Sequence, residues 1–202
     1  TGTRAKHEAI VSKVVRLHAE GRPVLIGTRR IEDSETLHAL LAGEGVQAAL
    51  LNAKQPAAEA AVVAQAGEAG QVTVATNMAG RGTDILVPPA VEARGGLVVI
   101  LSEPHSAARV DWQLYGRTGR QGQAGEVHAY ASAEDALFVQ YLPRLLQPLR
   151  RVLFLPPQRR LTVRVLTAWC QHRAQRRALR QRQMLNRNDR HWRDAMSFSD
   201  RQ

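Results

Sequence analysis

Short apolar runs that recur between stretches of helical periodicity constrain this chain more than any other feature. Val24-Leu25-Ile26, Val46 to Leu51, Val72-Thr73-Val74-Ala75 and Leu97-Val98-Val99-Ile100-Leu101 have the length and composition of strands, and Val24-Leu25-Ile26 is a run of the kind expected in a strand buried on both faces. Between them lie segments of helical spacing. Lys6 to Ala19 carries Ile10, Val11, Val14, Val15 and Leu17 and stops at Gly21-Arg22-Pro23; Glu32 to Ala42 stops at Gly43-Glu44-Gly45. Further helices are expected across Ala57 to Ala66, across Ala107 to Gly116 and from about Glu134, with a strand at Val127 to Ala131. Strands alternating with helices in this way form parallel sheets covered on both faces. The expected fold class is therefore α/β, a doubly wound parallel sheet over residues 1–142.

Past residue 142 the pattern changes. Pro143, Pro148, Pro156 and Pro157 break regular structure and mark a linker, whereas residues 160–195 contain neither Pro nor Gly and read as one long Arg-rich helix. Ala178, Leu185, Trp192 and Met196 could form a narrow apolar seam on it. The second expected unit is thus 143–202, a Pro-containing linker and a C-terminal helical extension. Charge divides at the same place. Residues 1–140 hold 13 basic and 15 acidic residues, a net −2, and residues 141–202 hold 15 Arg against 3 Asp, a net +12. Such a tail could meet nucleic-acid phosphates, anionic lipid headgroups or an acidic protein surface, or be a solvated face in an Arg-biased chain.

Composition excludes several classes. With 44% hydrophobic and 23% charged residues, the 202-residue chain can bury a core, and no apolar run approaches the roughly 18 residues of a membrane-spanning helix. Cys170 is the single cysteine, so there is no internal disulfide and no multi-cysteine metal site. No metal-ligating residues are expected.

Two loops carry chemistry. Thr76-Asn77-Met78-Ala79-Gly80-Arg81-Gly82-Thr83-Asp84-Ile85 sets an Arg and an Asp around glycines that allow close backbone approach. Arg81 could clamp a phosphate, and Asp84 could bond a ribose hydroxyl or pair with that Arg; a plain glycine turn with a surface ion pair is the alternative. Gln113-Leu114-Tyr115-Gly116-Arg117-Thr118-Gly119-Arg120-Gln121-Gly122 holds two arginines three apart. On a helical turn that spacing would put both guanidinium groups on one side, suited to a polyphosphate. Because doubly wound sheets bind ligands beyond the carboxyl ends of their strands, both loops are expected there. No Gly-x-x-x-x-Gly-Lys-[Ser/Thr] loop and no strand-terminal Asp-Glu pair is present, so the chain alone is not expected to hydrolyse ATP.

These motifs, with Gly21-Arg22-Pro23-Val24-Leu25-Ile26-Gly27-Thr28, Asn52-Ala53-Lys54, Ala64-Gln65-Ala66-Gly67 and Gly95-Gly96-Leu97, resemble the second nucleotide-binding, RecA-like domain of the SecA preprotein translocase ATPases. Gly-Arg-Thr-Gly-Arg is also shared with superfamily-two helicases generally. The resemblance implies that Arg117 and Arg120 act as arginine fingers and that Arg81, Gly82, Thr83 and Asp84 face ATP, with Mg2+ held by an absent first motor domain of the same or a split chain. It implies unfolded preprotein as substrate, a Sec translocon and anionic lipid as partners, and a cytoplasmic place at the inner face of the bacterial membrane. Nucleic acid is the less favoured partner; a helicase-type motor domain or a degenerate nucleotide-responsive binding module is the alternative. The chain departs from the family's usual pattern at Pro104 and Tyr115, where arginines are usual, and the region after residue 142 is shorter than the usual helical scaffold and wing. It is accordingly expected to be the carboxyl-terminal part of a longer polypeptide or of a split pair. His105 and His128 are expected to be structural, Trp112 a core or interface packing residue, and Cys170 a buried apolar one.

Overall fold

A computed structural model describes residues 2–51, 59–76, 84–148 and 159–199. Asn52-Ala53-Lys54, Arg81, Gly82 and Thr83 lie outside the described residues, as do Pro156 and Pro157.

Five parallel strands form one sheet in the order β2-β3-β1-β4-β5: β1 Val24–Thr28, β2 Ala48–Leu51, β3 Val72–Thr76, β4 Leu97–Leu101 and β5 Gly125–Ala129. The helices are α1 Thr3–Ala19, α2 Ile31–Gly43, α3 Glu59–Gln65, α4 Pro89–Glu92, α5 Ala108–Tyr115, α6 Ala136–Tyr141 and α7 Arg159–Ser199. The two-residue period of a strand sorts the core into two layers. Val24, Ile26, Val72, Val74, Val98 and Ile100 face Ile10, Val14 and Leu17 of α1 and Leu37 and Leu41 of α2. Leu25, Ala75, Leu97 and Val99 face the other way, with Val63 of α3, Ile85 and the half-buried Leu114 of α5. Both layers bury central strands completely, which is why β1 and β4 read as unbroken apolar runs.

β5 starts two residues before the expected strand and has no unbroken buried run. It pairs only with β4, from Leu97↔Gly125 to Leu101↔Ala129, so it is an edge strand with Val127 exposed.

A third, smaller core joins α6 to the long helix: Leu137, Phe138 and Leu142 pack with Cys170, Val163 and Leu166. This corrects the expected seam. α7 packs through residues 163–174, while Leu185 is 61% exposed. Trp192 and Met196 lie in the part of α7 whose side chains are outside the described residues. The start of α1 is tied to the same region, because Glu134 Oε2 accepts from the Thr3 backbone N–H and Lys6 Nζ sits 2.6 Å from Asp135 Oδ1 in a fully buried ion pair. Among the described residues, no helix is long and apolar enough to cross a membrane.

Candidate functional site

The arginine motif occupies the turn from α5 to β5. Helix α5 ends at Gly116, and Arg117 and Thr118 continue as a tight turn whose amides donate to Leu114 O and Tyr115 O. Gly119 then adopts a left-handed conformation, φ 67°, before the 3-10 turn Arg120–Gly122. Arg117 and Arg120 are therefore not neighbours on one helical turn, as their spacing predicts. A left-handed residue stands between them and reverses the chain. Gln121, at φ 53°, is left-handed too despite its Cβ.

The turn also lies elsewhere than expected. Thr118 Oγ1 donates to the carbonyl of Leu97, the first residue of β4, at 2.7 Å, and Gly125 opens β5 alongside. The backbone of the arginine turn is thus anchored at the amino-terminal end of β4, while Arg117 lines a cavity with Thr28, Ala75 and His105 near the carboxyl ends of the strands. The reason is length: α5 is short and runs back along the sheet, carrying the turn to the start of the next strand.

Asp84 is the one predicted nucleotide-facing residue that the structure describes, and its partner is Arg120. Nη1 of Arg120 lies 2.6 Å from Asp84 Oδ1, while Arg120 Nε donates to Gly116 O at 2.6 Å. The two motifs are 36 residues apart and meet here. Both side chains remain open to solvent, 39% and 46% exposed, so the pair is screened and can be exchanged for another anion. Arg117 is half-buried and lines a cavity of about 40 Å3 beneath α5 with Leu25, Gly27, Thr28, Ala75 and His105. That volume suits a water molecule or two, not a nucleotide.

Arg120, open to solvent and already holding a carboxylate, has the forked donors that a phosphate group takes. Among the described residues there is no cluster of three His, Cys, Asp or Glu able to hold a metal ion.

Sequence reasoning missed the buried polar network behind α5. Asp111 Oδ1 accepts from the backbone N–H of His105 at 3.0 Å and lies 2.7 Å from His105 Nδ1; Asp111 Oδ2 accepts from Gln171 Nε2 at 2.7 Å. His105 is structural, as expected. Of the core or interface placement expected for Trp112, the core half does not hold: it is 70% exposed and packs edge-on against Tyr115, 5.7 Å between ring centroids. Burial pushes the Tyr115 hydroxyl up to about 12, so it stays neutral. His128 stands in β5 beside Glu126, whose carboxyl is held low by the hydrogen bond from Arg22. Cys170 is fully buried, and burial pushes its thiol up to about 11, which keeps it inert.

Comparison with known proteins agrees with this architecture. In fold, the chain is similar to the Escherichia coli DEAD-box protein SrmB, solved bound to RraA, with TM-score 0.56 and 21% identity over 72% of this chain and 81% of that one. The second domain of the Mss116p DEAD-box helicase gives TM-score 0.52 and 18% identity over 73% and 57%. The sheet is accordingly of RecA-like type. In sequence, the chain is 53% identical to a Protein translocase subunit SecA 2 of Nitrosospira multiformis over 139 residues, 69% of this chain and 21% of that protein. It is 54% identical to Protein translocase subunit SecA of Chlorobaculum tepidum over 134 residues, 66% and 13%. A SecA 2 subunit of Chlorobium chlorochromatii matches at 42% over 198 residues, 96% of this chain and 30% of that one, so the likeness runs on through the Arg-rich helix. The chain thus spans between 13% and 30% of these relatives' lengths. The SecA P-loop domain family model matches residues 1–94 and 87–153, and the chain belongs to that family.

Proposed function

We propose that this chain is the second motor domain of a SecA-type protein-translocating ATPase, and that Arg117 and Arg120 are arginine fingers for ATP held on a first nucleotide-binding domain. Residues 1–142 form the motor unit, and residues 143–202 form the linker and the helix that joins it to the rest of the machine. The observation that carries the reading is the Arg120–Asp84 pair. It links the two family motifs through an exposed guanidinium whose carboxylate partner can be displaced by a phosphate.

In this reading Asp84 holds Arg120 in place between cycles. When the two motor domains close, Arg120 leaves Asp84 and, with Arg117, neutralises charge on the phosphoryl oxygens; Arg81, Gly82 and Thr83 complete the nucleotide-facing loop with Asp84. Bound ATP, with Mg2+ held by the first domain, supplies the phosphoanhydride bond that is broken. A trans-acting arginine of this kind accelerates phosphoryl transfer by about 10³–10⁵. Domain closure and reopening then move an unfolded preprotein, at a Sec translocon on the inner face of the membrane, where the +12 helix region faces anionic lipid.

The test is ATP turnover by the full-length protein that contains this sequence, with and without an unfolded secretory preprotein and anionic vesicles, and separately with RNA. Stimulation by preprotein and vesicles that is lost in Arg120→Ala supports the proposal. Stimulation by RNA alone overturns it in favour of a nucleic-acid motor.

A further inference from the structure

Helix α7 is bonded to the start of α5 through Gln171. Gln171, 7% exposed, directs its amide nitrogen at two acceptors, the His105 carbonyl at 2.9 Å and Asp111 Oδ2 at 2.7 Å. Asp111 and His105 are equally buried, 5% and 7% exposed. The carboxylate of Asp111 is an acceptor, so it fixes His105 Nδ1 as the donor, and Asp111 thereby accepts three bonds, from the His105 backbone, the His105 ring and Gln171. His105 Nε2, buried at this contact, has no hydrogen-bond partner.

Asp111 sits in the first turn of α5, and the arginines follow its carboxyl end. Gly116 O accepts from Arg120 Nε, and the Arg117 amide donates to Leu114 O. α5 is eight residues long and joins Asp111 to the turn that carries Arg117 and Arg120. Cys170, the neighbour of Gln171, is fully buried against α6 in the same seat.

We propose that Gln171 is a positioning residue: it couples the seating of α7 to the placement of the arginine turn, so that α7 and the turn share one equilibrium. The coupling between the two elements stands on these hydrogen bonds alone; its consequence for turnover rests on the arginine-finger reading. Linkage makes it reciprocal, so whatever unseats α7 loosens the turn and whatever reshapes the turn changes the hold on α7.

The 202-residue chain carries its own probes. Labelling of Cys170, its single thiol, reports the seating of α7, and amide hydrogen exchange across residues 108–122 reports the turn. Gln171→Leu keeps the bulk and removes both donors. It should raise exchange over 108–122 and Cys170 labelling by roughly tenfold or more, the size expected when a buried charged acceptor loses its donor. Exchange in β1 and β3 should stay unchanged. In an Asp111→Ala background the same substitution should add less than in the wild type, because Gln171 then keeps only the His105 carbonyl as acceptor. Faster labelling with unchanged exchange over 108–122 would overturn the proposal, as would a uniform rise across the sheet or no change at either probe. Should Gln171→Leu not fold, Gln171→Asn, one methylene too short to reach both acceptors, serves the same comparison. Neither probe uses nucleotide, so silence of Arg120→Ala in ATP turnover would end the arginine-finger reading and leave this coupling standing.

Discussion

Arg120 and Asp84, 36 residues apart in the chain, are joined by a 2.6 Å ion pair that ties the two glycine-rich motifs into one surface. Because both side chains are open to solvent, the pair contributes little to folding. Asp84→Ala should change the unfolding free energy by no more than about 1 kcal/mol, measured by urea denaturation. A much larger loss would mean that the pair is structural and not an exchangeable holder of Arg120.

The turn itself is conformationally demanding. Gly119→Ala places a Cβ at φ 67° and should cost about 1–2 kcal/mol, whereas Gln121→Gly relieves the same strain at φ 53° and should stabilise, by about 0.5–1 kcal/mol after the entropy of the added glycine. Thermal unfolding of the two variants should therefore shift in opposite directions.

Close approach of β5 to the same turn gives a second handle. A Cβ added at Gly125 would overlap Thr118 Oγ1 and come within 2.8 Å of the Gly119 backbone nitrogen. Gly125→Ala should break the Thr118–Leu97 hydrogen bond and raise amide exchange at residues 117–122, with the β1–β3 ladder unaffected. Unchanged exchange in the turn would contradict the anchoring role given to Thr118.

Lys6 and Asp135 set a pH dependence. Burial pushes the Asp135 carboxyl from 3.8 up to about 6, against the opposing pull of Lys6 and the Ser132 amide. A carboxyl raised in the folded state contributes stability that is fully present below about pH 4 and is lost as pH rises through about 6. Asp135→Asn removes that slope, so the stability difference between wild type and variant should shrink from pH 4 to pH 7. A constant difference would show that Asp135 titrates normally. Lys6→Met, which leaves a buried carboxylate without its counter-charge, should cost about 3–5 kcal/mol at neutral pH.

The sheet and its flanking helices are legible in the sequence because both faces of β1 and β4 are buried, and complete burial writes unbroken apolar runs such as Leu97 to Leu101. β5 was harder to place, since an edge strand paired on one side need not be apolar, and Val127 is exposed. The long helix is legible from its lack of Pro and Gly, but its contacts are not: among the described residues those it buries, Cys170, Gln171 and Ala174, lie in its first half, where it meets α6 and α5. Spacing also misjudged the arginines, because Gly119 turns the chain between them and the short α5 carries the backbone of their turn to the amino end of β4. Contacts such as Arg120–Asp84 and Gln171–Asp111, 36 and 60 residues apart, depend on strand order, which no local pattern encodes.

The central claim is that this domain lends its arginines to nucleotide bound elsewhere. The most direct test is the kcat and KM for ATP of the full-length protein carrying Arg117→Ala, Arg120→Ala or both, with nucleotide affinity measured separately. The account predicts a fall in kcat of about 10³-fold or more with at most a modest change in ATP affinity, and less than the product of the single effects in the double variant. A kcat within a few-fold of wild type in the double variant would contradict it.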